Sequence, residues 1–230
     1  MFFKKKNKPE KNQPDKNPQP GIQGRPEVYS VAELDAVENH IASYFGSYET
    51  VLHEIESPDI HVDVCIIPPA EGRPYQTLVT LGMGARKMNV PEELAEWKLE
   101  RAELIVTLPA DWDFQTEDER LYWPLHLQKV LARFPGDYDT WLGYGHTVPN
   151  GKPFADNTEL SSVMLVMPYL FGEPSYRCVL PNGEEVVFYQ MIPLYESELN
   201  YKKANNADTL DKLFPEEINM GLDINRKPVV

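Results

Sequence analysis

Three consecutive segments of strand-like composition lie close together between residues 48 and 81, and their spacing limits how they can pair. The segments are Tyr48 to Ile55, Ile60 to Pro68 and Tyr75 to Leu81. The links between them, SPD and PAEGRP, are typical turn sequences. In the middle segment alternate positions are apolar, which gives one face of Ile60, Val62, Val64 and Ile66. Links this short join antiparallel neighbours, because a parallel pair needs a crossover of a dozen residues or more. The sheet is therefore predicted to begin as an antiparallel meander.

Helices are predicted before and after this meander. Ser30 and Glu33 form an S-x-x-E capping box ahead of a run with apolar residues at helical spacing, and Gly46 supplies a stop. The run Arg120 to Pro135 has a second apolar stripe, and Pro124 fits if this helix begins close to it. Two shorter helical patterns follow at 195–205 and 207–214.

Four more strands complete the predicted architecture. They are AELIVTL at 102–108, SVMLVMP at 162–168, SYRCVLP at 175–181 and EVVFYQMIPL at 185–194, with PNG as a hairpin turn between the last two. The sequence thus predicts a single α+β domain over residues 28–230, with a mixed, largely antiparallel sheet packed against helices. Residues 1–27 are rich in Lys, Pro and Asn and are predicted to form a flexible leader.

The net charge of −14 is distributed unevenly and narrows the class of partner. Residues 1–27 hold seven of the 22 basic and three of the 36 acidic residues, so residues 28–230 carry 15 against 33, a net charge of −18. A body this acidic repels phosphate backbones, which argues against nucleic-acid binding and is compatible with a basic partner or with solubility alone. Cys65 and Cys178 are predicted to be core thiols in a reducing cytoplasm, and no run of apolar residues is long enough for membrane insertion.

The segment from Trp141 to Thr158, WLGYGHTVPNGKPFADNT, has neither helical nor strand periodicity and is predicted to be an ordered loop. Its aromatic content is too high to be left in water. We expect its ring-bearing side chains to contact a protein partner, since aromatic residues carry much of the energy at interfaces; they are Trp141, Tyr144, His146 and Phe154. The alternative is that Trp141 and Phe154 only fix the loop to the sheet.

The sequence contains no complete set of catalytic residues. His61 and Asp63 make an H-x-D pair, but no second motif supplies further ligands, so no metal site and no cofactor are predicted. The sequence has no G-x-S-x-G elbow, P-loop or G-x-G-x-x-G turn that opens a helix. The chain is therefore predicted not to be an enzyme. The alternative is a hydrolase with a site around His146 and either Asp156 or Cys65.

Five segments, taken in order, resemble the suppressor of fused domain family. They are TLGMGARKMNVP at 80–91, RAELIVTLPADW at 101–112, WPLHLQKVLARFP at 123–135, GHT-x3-G-x-PF at 145–154 and FYQMIPLYESEL at 188–199. The final GLDINRKPVV also fits the tail of bacterial members. The resemblance covers the chain from about residue 30 onward, and the combination is much more specific than any one segment.

This resemblance implies an α/β sandwich-like domain that binds other proteins and has no catalytic residues. Animal members restrain zinc-finger transcription factors with this domain and a second one, for which the present chain has no counterpart. Bacterial members that consist of one domain resemble immunity proteins, which neutralise toxins, and nuclease toxins are commonly basic. We therefore expect a cytoplasmic protein that sequesters a basic toxin or another protein partner. A module that pairs an exposed sheet edge with an extended peptide is a further alternative.

Overall fold

The computed structural model describes residues 25–114 and 116–230, and its first helix confirms the predicted capping box. Helix α1 spans Val31–Tyr44. The Ser30 hydroxyl accepts a hydrogen bond from the Glu33 backbone N–H, and the Glu33 carboxylate accepts one from the Ser30 backbone N–H. Each of these two side chains thus accepts a hydrogen bond from a backbone N–H that has no partner within the helix.

The predicted meander is present; its first two strands are shorter than the sequence indicated, and the third has the predicted bounds. Strands β1, β2 and β3 pair antiparallel in this order, and β4 follows on β3; they span Thr50–Leu52, Asp63–Ile67, Tyr75–Leu81 and Arg101–Pro109. The later strands β5, β6, β7 and β8 span Thr147–Pro149, Ser162–Val166, Arg177–Val179 and Glu185–Leu194. The bounds of β8 agree with its predicted segment to the residue.

The sheet is mixed, and β8 lies in its interior, where it pairs with three other strands. Its order is β1-β2-β3-β4-β8-β6-β5, and β7 pairs with the first part of β8. The pair β4–β8 is parallel and every other described pair is antiparallel. A parallel pair needs a long crossover, which here includes helix α2. The structure therefore confirms the mixed, largely antiparallel sheet of a single α+β domain.

Helix α2 spans Glu119–Tyr138, so it begins earlier and ends later than predicted. It contains Pro124 and Pro135, whose rings remove backbone donors from the helix interior. The loss at Pro124 leaves the carbonyl of Arg120 without its helical partner, and the side-chain amide of Asn157 donates to this carbonyl at 3.4 Å. A residue far along the chain thus replaces part of what the proline removes.

Helices cover both faces of the sheet. Leu131 of α2 packs with Leu104 and Tyr189 on one face. Ile41 of α1 packs with Phe188 on the other, where two further helices cover the strands near β6. These are α3 (Glu196–Ala204) and α4 (Ala207–Asp211), and the short 3-10 helices span Met83–Ala85, Glu92–Trp97, Tyr169–Phe171, Glu173–Tyr176 and Glu216–Asn219.

The predicted alternation in β2 is confirmed with one addition. The side chains of Ile60, Val62, Val64 and Ile66 are all buried, as the pattern indicated. Cys65 and Ile67, on the opposite face, are buried as well because α1 packs there. Both faces of this strand therefore belong to the core.

The C-terminal segment closes the gap that opens where β4 and β8 part. Their pairing ends halfway along each strand, and beyond it the Leu222 backbone N–H donates to the Thr107 carbonyl at 2.9 Å. Arg226 forms two hydrogen bonds, of 2.6 and 2.7 Å, with the carboxylate of the fully buried Glu198 in α3. A bidentate pair of this kind holds the segment in one position.

Most of the predicted leader lies outside the described residues. Of its last three residues, Glu27 forms a β-bridge with Ile60, and its carboxylate accepts a hydrogen bond from Arg86 at 2.8 Å. Within the described parts of the chain, no helix is both long enough and apolar enough to cross a membrane.

Candidate functional site

The segment from Trp141 to Thr158 is attached to strand β6 at its centre. The Gly145 backbone N–H donates to the Leu165 carbonyl at 2.7 Å, and the Leu165 N–H donates to the His146 carbonyl at 3.0 Å. The next three residues form β5, so the prediction of a segment without strand structure is wrong for Thr147–Pro149. Three residues that end in proline are too few to produce a recognisable alternation.

Trp141 and His146 form a pair on the inner side of this segment. Their ring centroids are 4.2 Å apart in an edge-on arrangement, and Trp141 packs against the core on the α2 face. A Cβ atom on Gly143 would lie 2.4 Å from Cζ3 of Trp141, so the glycine gives the indole its space. Burial lowers the pKa of His146 and thus favours its neutral form.

Tyr144, which lies between Trp141 and His146 in the sequence, is on the outer side of the segment. Its side chain is 37% exposed, and its hydroxyl lies 3.0 Å from a carboxylate oxygen of both Asp208 and Asp211 in α4, so its one proton is shared between these two acceptors. Tyr169 also donates to Asp211, at 2.7 Å. Burial, the Tyr169 hydroxyl and Asp211 raise the pKa of Tyr144, so this phenol remains a donor. We call Tyr144, Tyr169, Asp208 and Asp211 the tyrosine–aspartate patch.

Phe154 is directed to a different part of the surface. Its ring stacks on Trp123 of α2 with a centroid distance of 4.8 Å and an angle of 5° between the ring planes. Its backbone N–H donates to the Leu160 carbonyl at 2.9 Å. The four residues singled out in the sequence thus divide into an inner pair, an exposed tyrosine and a phenylalanine that packs against α2.

The three residues of the alternative hydrolase site lie in different environments. The charged side chain that affects the pKa of His146 is Lys202, which, like burial, lowers it. Asp156 is exposed, and its negative charge contributes to the raised pKa of Arg120 in α2. Cys65 lies in the core beneath α1, where burial raises the pKa of its thiol to about 12. A thiol with this pKa is not an activated nucleophile at neutral pH.

The H-x-D pair has a third member that spacing did not indicate. His53 Nδ1 and His61 Nε2 lie 2.8 and 3.0 Å from the two carboxylate oxygens of Asp63, and the Ser57 hydroxyl contacts His61 Nδ1 at 2.7 Å. Over residues 25–114 and 116–230, no group of three or more His, Cys, Asp or Glu side chains is arranged to hold a metal ion. These contacts connect β1, β2 and the turn between them.

Three residues of the tyrosine–aspartate patch were missed in the sequence. Tyr169, Asp208 and Asp211 have no motif in common with Tyr144 and lie well after it in the chain. Only the packing of α4 beside the loop that contains Tyr144 brings them together. Two aspartates three residues apart in a short helical segment were the available signal, and this pattern is equally typical of a solvent-exposed helix.

Comparisons with known proteins agree with the resemblance found in the sequence. The model of the suppressor of fused protein family matches residues 58–227. An uncharacterized protein of Ureaplasma parvum serovar 3 is 29% identical over 206 aligned residues, and the alignment covers 88% of this chain and 98% of that protein.

Solved structures of the same family share the fold. A suppressor of fused homologue from Neisseria gonorrhoeae has a TM-score of 0.60 at 19% identity, over 87% of this chain and 98% of its own. A chain of the Sufu–Fu complex has a TM-score of 0.63 at 14% identity, with 89% and 93% coverage. Drosophila Suppressor of Fused has a TM-score of 0.56 at 13% identity, and the match covers 86% of the present chain but only 51% of the Drosophila one. The chain belongs to the suppressor of fused protein family, whose members bind proteins and are not enzymes.

Proposed function

We propose that this protein sequesters a basic protein partner and serves as an immunity-type protein against a toxin. The net charge of −18 on residues 28–230 supports this, because an acidic inhibitor attracts a basic toxin from a distance and accelerates association. The relation to a family of protein-binding domains supports the binding role. The inference that the partner is a toxin rests on the net charge of residues 28–230 and on the resemblance to bacterial members of the family.

The observation that carries the proposal is the tyrosine–aspartate patch. Tyr144 and Tyr169 are 37% and 42% exposed, and their hydroxyl groups hold Asp208 and Asp211 in fixed positions at the surface. A carboxylate that accepts one or two hydrogen bonds retains lone pairs for another donor. Lysine or arginine side chains of a partner can therefore bind the carboxylates while they contact the aromatic rings.

In this proposal the four residues predicted from the sequence have different roles. Tyr144 contacts the partner directly. Trp141 and His146 support the loop from inside and keep Tyr144 in position, since the three lie within six consecutive residues and Trp141 packs on the core. Phe154 lies outside the patch, against Trp123.

Neutralisation of a toxin provides the direct test. Each gene that neighbours the coding sequence is expressed in a bacterial host with and without this protein, and growth is measured. We expect one neighbour to arrest growth and the intact protein to restore it. The double variant Asp208→Asn/Asp211→Asn should restore growth poorly while its thermal unfolding midpoint stays near that of the parent. No toxic neighbour, or equal rescue by the double variant, contradicts the proposal.

A control variant with the same loss of charge distinguishes the effect of the patch from the effect of the overall negative charge. Glu159→Gln/Glu196→Gln removes two negative charges from exposed positions outside the patch, so it should retain rescue. The association rate with the toxin should fall at least about tenfold between about 50 and 300 mM salt, because exposed charges are then screened. A rate that is independent of salt contradicts the electrostatic part.

A further inference from the structure

One side of α2 presents a row of ring-bearing and aliphatic residues to the surface. They are spaced four residues apart, so they form one continuous ridge that turns by about 40° around the helix at each step: Tyr122, His126, Val130, Phe134 and Tyr138. We call them the α2 stripe, and they extend over about 24 Å at 1.5 Å per residue. Val130 is 47% exposed and Tyr138 is 69% exposed. Apolar side chains in such a row, left open to water, mark an interaction surface.

The segment after β5 forms the opposite wall of a groove beside this stripe. Two adjoining cavities lie between α2 and this wall, with volumes of about 420 and 270 Å³. Both are bordered by residues of the two walls: Leu127, Val130, Asn150 and Phe154. Because the cavities share these residues, they form one continuous groove along the helix.

A tryptophan on the wall of the groove has a buried donor without a partner among the described residues. Trp123 borders the larger cavity, is 4% exposed and stacks on Phe154. Its indole Nε1–H makes no hydrogen bond to any of the described residues. A buried N–H without an acceptor is costly, and an acceptor on a bound ligand would remove this cost.

The charges at the groove favour a basic occupant. Glu119 borders the groove near the start of α2 and Asp137 near its end, and both are exposed. Glu117 and Asp139 add acidic side chains just beyond the two ends. Lys152 is the one lysine or arginine among the residues that border the two cavities. Apolar side chains between acidic ends suit a segment that is apolar in the middle and basic at its flanks.

The occupant is a helix rather than an added strand. The edge strand β5 is three residues long and ends in Pro149, which has no backbone N–H to offer an incoming strand. The stripe, in contrast, follows the axis of a 20-residue helix. A second helix laid along it can place residues i, i+3, i+4 and i+7 in the groove.

We propose that this groove binds an amphipathic α-helix of a protein partner. The apolar face of that helix packs on the α2 stripe, its basic flanks lie near Glu119 and Asp137, and a side-chain acceptor on it receives the hydrogen bond of Trp123 Nε1. This surface is separate from the tyrosine–aspartate patch, so the proposal does not depend on the toxin hypothesis.

A synthetic peptide of 18 residues tests the groove directly. It consists of leucine and lysine in a helical amphipathic pattern with one glutamine at the centre of the apolar face, and the control is a scrambled peptide of the same composition. Binding is followed by two-dimensional ¹H–¹⁵N NMR of the whole protein. We expect shifts along α2 and residues 148–154, a downfield shift of the Trp123 indole N–H, and at least tenfold weaker binding of the scrambled peptide.

Matched variants decide between the groove and a general attraction to the acidic surface. Val130→Lys should weaken binding of the amphipathic peptide at least tenfold, and Val179→Lys, at a 65% exposed valine on β7, should leave it within twofold. Equal effects of the two variants, or shifts that map elsewhere, overturn the proposal. It is also overturned if the free protein forms a dimer in sedimentation that Val130→Lys abolishes, since a second copy then occupies the groove. Unchanged peptide binding by Asp208→Asn/Asp211→Asn shows that the two surfaces are independent.

Discussion

Trp141 and Tyr144 are three residues apart in one aromatic segment, yet they have opposite environments. Trp141 packs on the core and against His146, while Tyr144 extends outward to two aspartates of α4. The difference arises from the backbone between and around them, where Gly143 gives the indole its space and Gly145 adopts a φ of +74°. Similar residue types in one loop can therefore serve stability on one side and recognition on the other.

Removal of the inner side chain should have the largest effect on stability. Trp141→Ala deletes an indole packed on the α2 face and leaves His146 without its ring contact, so we expect a loss of about 2 to 4 kcal/mol in the free energy of unfolding. Urea denaturation followed by circular dichroism measures this. A loss under about 0.5 kcal/mol, the range typical of surface substitutions, would place Trp141 with the surface residues instead.

The backbone that separates the two sides can be tested at Gly145. An added Cβ would lie 2.5 Å from Cβ of Ala207, and the φ of +74° is unfavourable for alanine. We expect Gly145→Ala to cost about 2 to 3 kcal/mol. Gly151→Ala is the matched control, because its φ is +77° but no atom lies within 4 Å of the added Cβ. It should cost about 1 kcal/mol, and equal losses in the two variants would contradict a steric role for α4.

The histidine of the inner pair should make stability depend on pH. Because burial lowers the pKa of His146 in the folded state, the unfolded chain takes up a proton first as the pH falls below about 6.5. Stability should therefore decrease from pH 7.5 to pH 5, and His40, whose pKa burial also lowers, adds to this. His146→Asn should reduce the slope. Urea midpoints at several pH values measure it, and an unchanged slope would show that His146 titrates as in the unfolded chain.

The outer side chain should have the smallest effect on stability and a clear effect on binding. Tyr144→Ala removes a partly exposed ring and one hydroxyl donor shared between two carboxylates, so we expect a change within about 1 kcal/mol. Binding to the toxin should weaken at least about tenfold if the patch is the contact surface. Calorimetric titration measures the affinity, and Tyr44→Ala, at an exposed tyrosine on α1, is the control.

Local patterns in the sequence predicted those parts of the fold that depend on neighbouring residues. The box of Ser30 and Glu33 predicted the start of α1, and the alternation around Val64 predicted which side chains of β2 share a face, the face that packs on α2 in the structure. Strand β8 was recognisable because its ten residues are almost uniformly apolar or aromatic. In each case the pattern and its physical cause lie within about ten residues.

The remaining features depend on contacts between distant parts of the chain. Pro124 predicted a start of α2 close to it, but the helix begins at Glu119, and Asn157 supplies a donor to the carbonyl that the proline leaves free. The parallel pairing of β4 with β8 has no local signature. The patch likewise required the position of α4, which no motif near Tyr144 indicates. Of the predicted site, the sequence identified one residue of the patch and none of its three neighbours.

The position of β8 has a consequence for synthesis of the protein on the ribosome. Strand β8, which lies between β4 and β6 in the interior of the sheet, is the last of the eight strands in the described residues, so β4 waits for its parallel partner until residues 185–194 emerge. At bacterial rates of about 5 to 20 residues per second, the roughly 75 residues between the two strands take ~4–15 s to synthesise. During this interval the nine residues of β4 present an unpaired apolar edge, which is a template for aggregation. Nascent chains should therefore be most dependent on chaperones between the completion of β4 and the emergence of β8.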